Sequence, residues 1–362
     1  MDGITVYTPG NLDMYDSYGL IACELGRHID SWGVHVNLVP LGERVMPGQP
    51  EDVRRVATRP IRMGFGGLLL GYPTNYGVYS SVSMMGPRVA LTMFESTVIP
   101  QDWVEILNTV DAVIVPSAFC RDVFRESGVR QPIHVVPLGL DDTYQPVARD
   151  PDSKPFTFLA FADRGRRKGG HYAIQAFLRA FGDDTDYRLL MKYRAIEGNT
   201  PVNILNLNID AIRGDMTSYE LYDLYKEAHV LINANMGEGF GLIPREFAAS
   251  GGLALATDWG GTSDDLAEWG LPIRVENLIP AWSGHPKFEF ESLGVWANPD
   301  VEALAVLLRH IADNKEFFMT TAMYKAYEAR SRYNWGTCAR EVLNIWQGVT
   351  DGYSERLRAV AG

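Results

Sequence analysis

Two glutamates stand eight residues apart around a pair of glycines in the run Glu238-Gly-Phe-Gly-Leu-Ile-Pro-Arg-Glu246. Glycine lets a backbone approach a ligand closely, and a loop that feeds a helix offers N–H groups to phosphate or sugar oxygens. A carboxylate accepts hydrogen bonds from vicinal hydroxyls, which is a natural way to hold a ribose or a hexose. Glu238 sits at the mouth of the loop and Glu246 one helical turn inside, so both can address one ligand. A surface helix with an acidic first turn would account for Glu246 through the macrodipole, but not for the glycines and Glu238 together. The other group with chemistry in it is Arg164-Gly-Arg-Arg-Lys168, the one dense basic cluster in a chain that has no lysine before Lys154. It reads as a phosphate contact or as a solvated basic turn.

These residues need elements to place them. Residues 230–234 form a short apolar run that predicts a strand. Pro244 suits the first turn of a helix, where its missing N–H costs nothing. That helix is predicted over 245–250, stopped by Gly251 and Gly252, with a strand following at 253–257. The same alternation runs through the chain and predicts an α/β fold with parallel sheets. In the first half, strands are expected at 4–8, 34–40 and 133–136, with an apolar, Gly-rich stretch at 61–71 and short buried runs at 89–94 and 112–115. Helices are expected there at 18–32 and 118–127, the second capped by Ser117. Residues 137–155, with four prolines and several aspartates, read as an interdomain linker. Beyond it come strand 156–161, helix 170–181, strand 187–192 and helix 218–228. Residues 277–296 read as an inserted loop, and helices are expected at 301–314, 315–333 and 335–346.

Composition narrows the function. A chain of 362 residues, 46% hydrophobic and 22% charged, has material for two cores. No run is long enough to span a membrane, and the first residues lack a basic region followed by an apolar one, so a cytoplasmic setting is expected. Cys23, Cys120 and Cys338 are far apart and odd in number, which fits reduced thiols. The net charge of −12 disfavours a nucleic-acid or anionic-membrane footprint. The seven histidines lack metal spacing, and the Asp183–Asp186 run reads as a solvated loop. Tyr72, Tyr76 and Tyr79 could stack on a sugar or base, although packing of their own loop weighs more.

From about Phe156 to Ile345 the chain resembles the nucleotide-sugar half of the GT-B glycosyltransferases, in particular the retaining enzymes of family 4. The resemblance is carried by Arg167-Lys-Gly169, the helix Glu220–Ala228, Glu238–Glu246, Ala248–Gly252, Gly260-Gly261 and the closing Tyr333-Asn-Trp335. In the first half it is carried by Val115-Pro-Ser117 and Val136–Asp141. The implied fold is two Rossmann-like doubly wound domains facing each other across a cleft. The first, for the acceptor, would span 1–145 and be completed by the C-terminal helix at about 340–362. The second, for the donor, would span 150–335.

The resemblance also implies roles. Arg167 and Lys168 would neutralise the donor diphosphate, with Arg164 as an alternative to one of them. Glu246 would hold ribose hydroxyls. Glu238, Gly239 and the N–H groups of Phe240, Gly241 and Leu242 would hold the donor sugar and β-phosphate. Ile212 and Arg213, opening the run to Asp215, would lie against the nucleobase. Two departures from the family stand out. The loop after the first strand is long and polar, with Gly19 left to permit close approach and Asp16 as a weaker candidate. Glu95 stands where relatives often place a histidine, either contacting the acceptor hydroxyl or a donor sugar hydroxyl, or capping the turn before Pro100. The implied activity is sugar transfer with retention from a UDP- or GDP-sugar to an acceptor hydroxyl, with a glycan or small molecule favoured over nucleic acid. No metal and no cofactor are expected. The alternatives are a catalytically silent relative that binds nucleotide sugars and a sugar-nucleotide epimerase.

Overall fold

Apolar runs of four to six residues, broken by Gly, Pro and Asp and separated by amphipathic stretches, fold here as repeated strand–helix units. The computed structural model describes residues 3–79, 86–162, 166–194, 207–282, 289 and 292–361. The first half runs β1 (Gly3–Thr8), α1 (Ser17–Ser31), β2 (His35–Pro40), α2 (Glu51–Ala57), β3 (Gly67–Leu70), α3 (Tyr76–Tyr79), β4 (Arg88–Leu91), α4 (Gln101–Leu107), β5 (Ala112–Val115), α5 (Ala118–Glu126) and β6 (Ile133–Val135). It continues with β7 (Phe156–Phe161), α6 (Gly170–Phe181), β8 (Tyr187–Tyr193), β9 (Ile209–Arg213), α7 (Ser218–Glu227), β10 (Val230–Asn233), α8 (Leu242–Ala249), β11 (Leu253–Thr257), α9 (Leu266–Trp269) and β12 (Leu271–Ile273). The chain closes with β13 (Val275–Pro280), β14 (Val295–Pro299), α10 (Val301–Asp313), α11 (Lys315–Arg332) and α12 (Trp335–Ala361).

The chain divides into two compact units. The first comprises 1–94, 99–139 and 333–362. Its sheet is parallel throughout, in the order β2-β1-β3-β4-β5-β6. β1, β3 and β5 are buried along their whole length, as parallel strands covered on both faces must be. α12 lies along α1, with the Arg340 guanidinium over the Trp32 ring. The polar loop after β1 uses its carboxylates locally. Asp13 Oδ1 accepts from the N–H groups of Tyr15 and Asp16, and Asp16 caps α1 by accepting from Tyr18 N. Tyr76 and Tyr79 are buried, their hydroxyls donating to Gly71 O and Leu70 O, so both pack their own loop.

The second unit comprises 95–98 and 140–332. Its parallel sheet has the order β12-β11-β10-β7-β8-β9. Phe156 and Phe158 of β7 pack edge-on to each other and, with Phe177 and Phe181 of α6, build the centre of the core. Among the described residues, no helix is long and apolar enough to cross a membrane.

Three expectations from the sequence are corrected. Residues 140–155 are not a free linker. Arg149 is buried, and its guanidinium donates to the carbonyls of Ala228, Tyr225 and Ser250 and to Ser250 Oγ, fastening the segment to the second unit. The segment expected as an inserted loop at 277–296 is in part an antiparallel pair, β13 with β14, anchored by the buried Trp296. The helix that periodicity predicts at 335–346 continues to Ala361. α2 and α4 were not expected either; each is seven residues long and begins straight after a proline.

Candidate functional site

The order of the second sheet places the site. From β7 the chain steps outward through β8 and β9, then returns to β7's other side and steps away through β10, β11 and β12. The order reverses between β7 and β10. In open α/β sheets, the crevice off the C-terminal ends of two such strands is where ligands bind. The turn after β7 carries Arg167 and Lys168, and the loop after β10 carries Glu238. The two segments are locked together: Met236 N donates to Arg167 O at 2.7 Å, and Arg167 Nη1 donates to Gly237 O at 2.8 Å. Gly169 makes the approach possible. Its φ is +69°, and a Cβ there would overlap Ala234 O.

Four charges meet at this junction. Lys168 Nζ donates to Glu238 Oε1 at 2.5 Å. Arg167, 1% exposed, sets Nη1 3.6 Å from Glu238 Oε2 and Nη2 3.5 Å from Glu95 Oε1. Glu95 opens the short segment 95–98 that belongs to the second unit, where the Thr97 hydroxyl accepts from Val295 N. Among the described residues, two cations stand against two carboxylates here. The structure thus gives Glu95 an ion-pair partner and brings it together with Glu238, Arg167 and Lys168.

The glycine loop is oriented by what its carbonyls bind. Gly237 O accepts from Arg167, Glu238 O from Gly261 N at 2.8 Å, and Phe240 O and Gly241 O from Arg245. Gly241, at φ +84°, precedes α8 as its N-cap. The loop therefore turns the carbonyls of Gly237, Glu238, Phe240 and Gly241 into the protein just before α8 begins at Leu242.

One turn on, Glu246 is 6% exposed and accepts a hydrogen bond from the Tyr225 hydroxyl at 3.1 Å. Burial pushes its carboxyl up to about 7; the Tyr225 bond pulls it down and the Asp141 charge adds to the rise. The Tyr144 ring stands 5.5 Å from that of Tyr225, so residues of the fastened 140–155 segment line the same place.

The remaining candidates fall elsewhere. Ile212 and Arg213 end β9 at the sheet's edge, two strands from β7, and the turn after them is held by Lys192 Nζ, which donates to Gly214 O. Arg164 lies outside the described residues. Gly19 belongs to the first unit, where a Cβ would stand 2.6 Å from Asp13 O and 2.7 Å from Asn11 O, so its own loop requires the glycine. Asp186, in the acidic run after α6, pairs with Lys154 Nζ at 2.5 Å on the surface. Sequence reasoning gave no role to Tyr225 or Arg245. A signal for Arg245 was present, since it is the one cation in the apolar run from Leu242 to Ala249.

No protein-family model matches the chain, and no curated protein matches it. Solved structures do. A sucrose-phosphate synthase from Thermosynechococcus elongatus is 16% identical, covering 97% of this chain and 100% of its own, with a TM-score of 0.70. A glycosyltransferase from Rickettsia africae is 14% identical, covering 96% and 99%, with a TM-score of 0.68. A UDP-forming alpha,alpha-trehalose-phosphate synthase from Burkholderia xenovorans, in complex with glucose-6-phosphate, is 12% identical, covering 82% and 75%, with a TM-score of 0.59. Likeness at this level of identity shows the fold. The two-unit α/β architecture, with a six-stranded parallel sheet in each unit, is that of the GT-B glycosyltransferases, as the sequence led us to expect.

Proposed function

We propose that the chain is a glycosyltransferase that moves a hexosyl group from a nucleoside-diphosphate sugar, with UDP or GDP as carrier, to a hydroxyl of a glycan or small molecule, with retention at the anomeric carbon. The observation that carries the reading is the meeting of Arg167 and Lys168 with the Glu238 loop at the sheet's switch point. Glycosyl transfer expels a nucleoside diphosphate, and fixed cations at the leaving oxygen stabilise the charge that develops there. In this reading the diphosphate takes Lys168 over from Glu238, and the freed Glu238 carboxylate accepts from hydroxyls of the donor sugar. Glu246 accepts from the two ribose hydroxyls. The departing phosphate, held by Arg167 and Lys168, receives the acceptor's proton, so attack occurs on the face the leaving group vacates. Glu95, through its pairing with Arg167, holds that guanidinium in place. The UDP-forming neighbour supports the choice of carrier, at the level of fold.

The test is to incubate the protein with UDP- and GDP-hexoses, with and without a panel of sugar and small-molecule acceptors, in EDTA. Proton NMR then follows the anomeric signals. The reading predicts nucleoside-diphosphate release that persists in EDTA, with a product of unchanged anomeric configuration, and turnover that falls about a hundredfold or more in Lys168→Ala. Inversion, a strict metal requirement, or a Lys168→Ala variant with wild-type kinetics would each contradict it.

A further inference from the structure

Arg245 is a buried cation in an apolar helix, 1% exposed, and the reaction outlined above gives it nothing to do. Its guanidinium lies 4.1 Å from the Phe240 ring centroid and 4.6 Å from that of Trp269. Nη1 donates to Phe240 O and, at 3.3 Å, to Gly241 O. Nη2 donates to Gly261 O at 3.1 Å and to Asp265 Oδ1 at 2.7 Å. Asp265 is itself held, because Oδ1 accepts from Trp269 Nε1 at 2.9 Å and Oδ2 from Arg332 Nε at 3.0 Å. Burying a guanidinium is costly, and an apolar side chain of similar volume often serves stability as well or better. The placement therefore calls for a role beyond stability.

The hydrogen bonds indicate that role. Three of the four end on carbonyls, two in the glycine loop and one in the turn beside it. In a trans peptide the C=O and the following N–H point in opposite directions. Fixing Phe240 O and Gly241 O on the guanidinium fixes the N–H groups of Gly241 and Leu242 on the far side. Gly241, at φ +84°, has no side chain to hold its peptides in one orientation. A planar fork can hold the two loop carbonyls on Nη1 while Nη2 is anchored on Gly261 O and Asp265, whereas a lysine ammonium is a point charge without that geometry.

We propose that Arg245 is a positioning residue: it holds the Gly241 and Leu242 N–H groups toward the β-phosphate of the donor and thereby sets how much of the affinity that phosphate supplies. The inference rests on the donor-site reading above. UDP and UMP differ in that phosphate, so the readout is the ratio of their affinities, measured by calorimetry on wild type, Arg245→Lys and Arg245→Met. The expected result is that the UDP preference over UMP falls by about tenfold in both variants, as the loss of aligned hydrogen bonds requires, while UMP affinity stays within about twofold. An unchanged ratio, or a parallel weakening of both nucleotides, would overturn the assignment and make Arg245 a packing residue. Thermal unfolding reports whether each variant folds; should Arg245→Met fail, Arg245→Lys, which keeps a buried cation, carries the test. A wild-type protein that binds no UDP, and equally no GDP in a repeat with GDP and GMP, would overturn the donor-site reading and this inference with it. That outcome is told apart because it needs no variant.

Discussion

Burial holds the Glu246 carboxyl up at about 7, against the ordinary glutamate value of 4.5, with the Tyr225 hydrogen bond opposing the rise and the Asp141 charge adding to it. The unfolded chain ionises this group more easily than the folded one does. Its contribution to stability is therefore fully present below about 4.5 and is lost as pH rises through about 7. In the proposed reading binding runs the other way, since a carboxylate that accepts from two ribose hydroxyls does so best when ionised. Glu246→Gln should stabilise the ligand-free protein at pH 8 by at most about 3 kcal/mol, raising its melting temperature, and leave it almost unchanged at pH 4.5. The same variant should bind nucleotide more weakly and lack the rise in affinity expected of the wild type between pH 6 and 8. Melting curves and titrations at those pH values check both arms. A variant less stable than wild type at pH 8 would contradict the electrostatic account of this residue.

At the scale of elements, the site is made by two turns that touch, one after β7 and one after β10, and Gly169 is what lets them touch. Gly169→Ala adds a Cβ in a left-handed conformation and drives it into Ala234 O, so it should destabilise the second unit by about 2–4 kcal/mol. Urea denaturation measures this, and a loss under about 0.5 kcal/mol would mean that the turn accommodates the methyl group by moving. Much at this scale was legible in the sequence. The apolar runs of β7, β10 and β11 and the glycines between Glu238 and Glu246 announce strand, loop and helix locally. What was not legible depends on distant partners. Arg149 fastens residues 140–155 through carbonyls about eighty to a hundred positions away, so a proline-rich stretch that looked like a tether is part of the unit. β13 is short of hydrophobic alternation and is a strand because β14 and Trp296 supply its pairing. Arg245 was visible as an odd charge, but its carbonyl partners were not.

For the molecule as a whole, the strand order carries more functional weight than any single residue. The order β12-β11-β10-β7-β8-β9 brings Lys168 and Glu238, seventy residues apart in sequence, within 2.5 Å at the reversal point. Neither the run of charges nor the glycine loop would make a site alone. The fold shared with solved glycosyltransferases fits that geometry, and the formal charge of −12 leaves the pair Arg167–Lys168 as a local exception to an acidic chain. The measurement that tests the central claim most directly is a thermal-shift series with UDP, GDP, ADP and dTDP, each with and without its attached hexose. The account predicts a selective shift for one base, uracil or guanine, and none for ADP or dTDP. At a hundred times its dissociation constant, that ligand stabilises the protein by about 2.7 kcal/mol, and the shift is lost in Glu246→Ala. No shift with any of the eight ligands, or one that survives in Glu246→Ala, would contradict a nucleotide-sugar site in the second unit.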